Sequence, residues 1–105
     1  VPSLDVSYSV LNNNIGMLRI RQGRYAEAVE ILKKAKDANK NIAANNIVLA
    51  QSYNNLGVAY KNQGDYAKAI EYYEKSLEIC LKKLGGDHPH TKGTQRNLEI
   101  CRSKM

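Results

Sequence analysis

The chain has 105 residues, enough for one domain, and its sixteen Lys and Arg against ten Asp and Glu give a net charge of +6 and a pI near 9.4. Hydrophobic residues make up 43% and charged residues 25%, an ordinary globular balance that excludes a disordered polyelectrolyte. No apolar run approaches the roughly 18 residues of a membrane span, and two cysteines make no disulfide framework, so a reduced, soluble, intracellular and cytoplasmic domain is expected. With no Phe and no Trp but seven Tyr, the core must be built from Leu, Ile, Val, Ala and Tyr, which suits thin layers of paired helices. The start at Val1-Pro2-Ser3 and the stop at Met105 suggest a piece of something longer.

In chain order, a first helical pair is divided by the turn Gln22-Gly23-Arg24. Gly16 lies inside its first helix, where it costs about 1 kcal/mol relative to Ala. The expected compensation is close approach of the second helix, with Ala28 as the facing small residue. The densest basic cluster, Lys33, Lys34, Lys36 and Lys40, reads first as a solubilising face and second as an anion patch. In the second pair, Tyr53, Leu56 and Tyr60 fall at helical spacing, and so do Tyr66, Ala69, Ile70, Tyr73, Leu77, Leu81 and Leu84. Between them, Gly64 can adopt the positive φ that ends a helix, and Asp65 can cap the next. Gly57 repeats the role of Gly16, with Ala69 as its expected partner. Then Leu84-Gly85-Gly86-Asp87-His88-Pro89-His90-Thr91 interrupts the pattern, and a last helix is expected from about Thr91 to Arg102, with Pro89 suited to a first turn.

The two pairs are copies. Asn13-Asn14 falls on Asn54-Asn55, Gly16 on Gly57, Gln22-Gly23 on Gln63-Gly64, and Tyr25-Ala26 on Tyr66-Ala67, always 41 residues apart. A partial third copy follows at an offset of 42, with Asn97-Leu98 on Asn55-Leu56. The units are about 8–43, about 44–88 and about 89–105, within one domain spanning 1–105.

Tyr53, Leu56, Gly57, Tyr60, Gly64, Tyr66, Ala69 and Tyr73 together resemble the tetratricopeptide repeat signature. The period of 41 to 42, with Leu84-Gly85 and Asp87-His88-Pro89 in the connection, is similar to the long-helix variety in kinesin light chains. The resemblance covers roughly residues 8 to 101. It implies an all-α solenoid of two helix-turn-helix hairpins and a C-terminal capping helix. The first unit departs at Asn12 and Arg19, so its outer side should pack less well. In the third, Glu99 replaces the glycine, giving the polar outer face that a solenoid end requires.

The resemblance further implies a scaffold that binds an extended peptide in a concave groove lined by the first helix of each unit. Carried over by position, the groove residues are Val10, Asn13, Asn14, Met17 and Arg21, then Gln51, Asn54, Asn55, Val58, Lys61 and Asn62, then Arg96, Asn97 and Lys104. Asn14, Asn55 and Asn97 recur at one position. Each amide offers an acceptor and two donors, so a row of them can clasp a peptide backbone; alternatively they only fix the stacking of helices. Arg21, Lys61, Arg96 and Lys104 would favour an acidic ligand. The terminal-carboxylate clamp of chaperone-binding relatives would need a basic residue at Asn13 and Asn at Met17, so chaperone-tail capture is not expected.

Other signals carry less. His88 and His90 around Pro89 read as loop capping rather than a metal site. Cys80 and Cys101 are expected to approach each other across the last two helices, and they read as buried small hydrophobes rather than a redox pair. There is no phosphate-cradling glycine loop and no nucleophile in an identifiable setting, so neither enzymatic activity nor a cofactor is expected. An RNA-binding array is the first alternative, disfavoured because the tyrosines occupy packing positions. Self-association through an apolar end near Tyr8, Leu11 and Tyr25 is the second. Expected partners are thus an acidic protein or peptide, possible homodimerisation through the repeat ends, and no membrane.

Overall fold

The computed structural model describes residues 2–40 and 47–105, with side chains from Tyr8 to Ala38 and from Ile47 onward. These residues form α1 (Pro2–Arg21), α2 (Tyr25–Lys40), α3 (Ile47–Asn62), α4 (Tyr66–Lys83) and α5 (Pro89–Ser103), with no strand among them. The protein is all-α. The expected unit boundary at 43/44 and the side chain of Lys40 lie outside the described residues.

Turn chemistry sets the hairpins. Gly23 and Gly64 hold φ of 79° and 84°, the left-handed region that favours glycine. Arg24 N–H then reaches back to the Arg19 carbonyl at 2.8 Å, and Asp65 N–H to that of Tyr60 at 2.9 Å, which satisfies the ends of α1 and α3. Asp65 also accepts a bond from Lys68 N–H at 3.2 Å and so caps α4.

Along each hairpin the in-helix glycine is a socket. A Cβ on Gly16 would lie 2.6 Å from the Leu32 side chain, and one on Gly57 2.6 Å from the Tyr73 ring. The expectation that Ala28 and Ala69 face these glycines is corrected: both alanines are fully buried, but the glycine receives the large side chain four positions later. A missing Cβ is more valuable as a seat for a large residue than as room for two small ones, because the former buries more apolar surface.

Helix α3 packs on α1, α2 and α4, and α4 on α3 and α5, so consecutive hairpins stack in sequence. The main core joins Ala28, Val29 and Leu32 of α2 to Leu56, Ala59 and Tyr60 of α3, Ala69 and Tyr73 of α4, and Leu98 and Cys101 of α5. A second cluster, Leu49, Ala50, Tyr53, Ile79 and Cys80, closes the other end of the α3–α4 hairpin.

The last helix begins two residues earlier than Thr91. Pro89 occupies its first turn, and His88 caps it by accepting from His90 N–H at 3.1 Å. His90 is therefore helical rather than part of the loop. Glu99 is exposed, as a polar outer face demands.

Candidate functional site

On α3, Gln51, Asn54, Asn55 and Val58 recur at helical spacing and share one face. Asn13, Asn14 and Met17 form the equivalent face of α1. Asn13, Asn14, Met17, Gln51, Asn54 and Asn55 converge on one cavity of about 290 Å³, completed by His90 from the first turn of α5. Its wall is dominated by neutral carboxamides, which donate and accept without charge. A neighbouring cavity is lined by Asn14, Met17, Leu18 and Arg21.

These carboxamides are in different states. Asn13 is buried and engaged with α3: its Nδ2 donates to the Val48 carbonyl at 3.4 Å, and the Ser52 hydroxyl donates to its Oδ1 at 2.8 Å. It ties the first two units together. Asn54, one repeat later, has no such tie. The residue corresponding to Ser52 is Thr94, whose hydroxyl donates to the His90 carbonyl at 3.0 Å instead. The Oδ1 of Asn54 is buried with no hydrogen-bond partner. Asn14 is exposed and Asn55 is largely covered, yet both line the cavity.

The remaining candidates lie outside that cavity. Val58 is half-buried against the main core, and its carbonyl accepts from Asn62 Nδ2 at 2.8 Å, which folds Asn62 back on its own helix. Lys61 is half-buried, close enough to Cys101 to favour its thiolate, although burial is the larger effect and pushes that thiol up. Arg21 is exposed on the neighbouring cavity, Arg96 and Lys104 are exposed on or just beyond α5, and Asn97 is half-buried there. Asn14 and Asn55 thus share a cavity that Asn97 does not line. His90 was missed because the last helix was expected to start after it. The signal existed: His90 sits three residues before Gly93, which corresponds to Gln51, and Gly93 has open space where a side chain would stand.

Cys80 lies beside the Ser76 and Thr94 hydroxyls, and Cys101 stands two helical turns beyond Thr94, roughly 10 Å along α5. Both are free, buried in separate clusters, and pushed up by burial, so the expected approach of the two does not occur. Among the described residues no group of three His, Cys, Asp or Glu could hold a metal ion, and no helix is long and apolar enough to cross a membrane.

A family model described as tetratricopeptide repeat matches residues 7–80 and 48–105. The chain belongs to the tetratricopeptide repeat family. Repeats of this family are non-catalytic and generally mediate protein–protein interaction. No match was found among the curated proteins.

Proposed function

We propose that this tetratricopeptide repeat domain holds an extended polypeptide along the face shared by α1, α3 and the start of α5, reading its backbone through carboxamides. The observation that carries this reading is the convergence of the Asn14, Gln51, Asn54 and Asn55 carboxamides, with Asn13, Met17 and His90, on one cavity. Arg21, Lys61, Arg96 and Lys104 support a preference for acidic segments. The long period and the Leu84-Gly85 connection support a long-helix variety similar to that of kinesin light chains.

Fluorescence anisotropy with a labelled Glu-rich peptide tests this. Asn55→Ala should weaken binding about fivefold to tenfold, the worth of one net hydrogen bond. Raising salt from low to high concentration should weaken it further. Equal affinity in wild type and Asn55→Ala would remove the carboxamide clasp, while indifference to salt would remove only the acidic preference.

A second reading is self-association. On α1 the side chains of Tyr8, Leu11 and Leu18 are 47%, 57% and 49% exposed, whereas Leu49, Ser52 and Ala59, at the same positions of α3, are buried. Tyr25, the third residue of the expected end patch, is half-buried. Sedimentation at two protein concentrations, with Leu11→Glu as the control, decides whether α1 pairs with a second copy.

A further inference from the structure

Helix α3 has a second face, turned away from the carboxamides. Tyr53 and Tyr60 lie about 100–160° around the helix from Asn54, Asn55 and Val58, toward α2 and α4. Tyr72 of α4 stacks on both, with centroid separations of 5.9 Å to Tyr53 and 5.6 Å to Tyr60, the latter pair being parallel to within 1°. Lysines from both flanking helices converge on this column. Lys33 of α2 and Lys68 of α4 sit 6.0 and 5.3 Å from the Tyr60 centroid. Lys36 of α2 and Lys75 of α4 sit 5.8 and 5.5 Å from that of Tyr72, and Lys75 also lies 5.7 Å from Tyr53.

The charge in this box is only half compensated. Asp37 offsets Lys36 at 3.6 Å, and Glu71 offsets Lys75 at 3.7 Å. Among the described residues, Lys33 and Lys68 have no carboxylate within 4.0 Å and share one tyrosine instead. The Tyr60 hydroxyl neighbours the Lys33 ammonium and holds its pKa above the usual lysine value. Cation–π attraction gathers the ammonium groups but does not neutralise them. Asp37 acts on Lys33 from beyond ion-pair distance, and two lysines brought to one tyrosine from two helices, neither in an ion pair, suit a compact dianion with several acceptor oxygens. Lysine, a flexible point charge, reaches such a group from two helices without demanding a planar partner.

We propose that the Lys33–Tyr60–Lys68 box binds a phosphoryl group carried by a partner polypeptide, on the side of α3 opposite the carboxamide groove. A nucleic acid fits less well. Tyr53 and Tyr60 are buried, and their ring faces are taken by Tyr72 and the lysines, so no platform is left on which a base could stack. The site is independent of the groove.

The test is an NMR titration of the isotope-labelled chain with a Gly-Ser-Gly-phosphoserine-Gly-Ser-Gly peptide and with its unphosphorylated twin. Shifts should concentrate at Lys33, Tyr60 and Lys68, with the phosphorylated peptide binding at least tenfold more tightly. Lys33→Gln with Lys68→Gln should weaken it at least fivefold, and Lys33→Arg with Lys68→Arg should retain it. Equal binding of the two peptides, or undiminished binding by the glutamine pair, overturns the proposal. So does a single-stranded RNA that binds the same lysines more tightly than the phosphopeptide.

Discussion

The hairpins α1–α2 and α3–α4 share a 41-residue register, the same glycine turn and the same in-helix glycine, yet they are filled differently. The second seats the Tyr73 ring on Gly57 and lays Tyr53, Tyr72 and Tyr60 in a column across its outer side. The first seats Leu32 on Gly16 and has Asn12 and Arg19 where the column would be. Arg19 turns to solvent-side partners, Gln22 at 3.1 Å and Glu27 at 3.7 Å, while Asn12 Nδ2 is buried with no hydrogen-bond partner. Exposed ion pairs contribute at most about 1 kcal/mol, whereas burying a large apolar side chain contributes about 1.5–3 kcal/mol. The first hairpin should therefore be the weaker of the two, held mainly by its stacking against α3. The backbone register belongs to the glycines; the stability belongs to what occupies the sockets.

The largest effect should come from emptying the second socket. Tyr73→Ala is expected to cost about 3–5 kcal/mol, more than Leu32→Ala, because both side chains are fully buried in the same core and the ring leaves the larger cavity. Tyr73→Phe sharpens the point. The Tyr73 hydroxyl is buried without a partner, and burial pushes its pKa well above the usual range. Removing an unpartnered polar atom should leave stability unchanged or raise it. Urea denaturation measures all three. A loss of more than about 1 kcal/mol in Tyr73→Phe would mean that the hydroxyl has a role that socket filling does not describe.

Next in size are the sockets themselves. Alanine gains about 1 kcal/mol of helix propensity over glycine, but a new Cβ on Gly57 would meet three Tyr73 ring carbons at 2.6–2.9 Å. Overpacking costs about 1–3 kcal/mol, so Gly57→Ala should be destabilising overall. Gly16→Ala should cost less, since a leucine can change rotamer where a planar ring must move as a unit. Thermal midpoints compare them. If both variants melted higher than wild type, close approach at these glycines would contribute nothing.

Much of this architecture is legible in the amino-acid sequence. Gly23, Gly64, Asp65 and Pro89 act through local backbone chemistry, which a sequence states directly. The convergence of Asn13, Asn14, Met17, Gln51, Asn54 and Asn55 follows from helical periodicity combined with the repeat. His90 was lost to a two-residue error in a helix start, and periodicity places faces better than ends. The partner of Gly57 was misassigned because small residues on facing helices suggest each other, while the true contact depends on how far one helix slides along its neighbour. The lysine–tyrosine box was invisible for a related reason. It takes side chains from α2, α3 and α4, and only Lys33, Lys34, Lys36 and Lys40 are close enough in sequence to register as a cluster.

The smallest effect probes the register most finely. In the first hairpin the buried Ser9 hydroxyl donates from α1 to the Ala35 carbonyl of α2 at 3.1 Å. In the second, the buried Ser76 hydroxyl donates from α4 to the Ala50 carbonyl of α3 at 2.8 Å. Ser9 corresponds to Ala50 and Ala35 to Ser76, so the same pair of positions makes the same contact with its donor on opposite helices. Ser9→Ala should cost about 1 kcal/mol, the net worth of one hydrogen bond. Adding Ala35→Ser should restore it to within about 0.5 kcal/mol, because the carbonyl at position 9 then accepts as that of Ala50 does, and the two changes become strongly non-additive. Two independent losses in the double variant would show that the hairpins only look alike in sequence and do not share a common axial register at this contact.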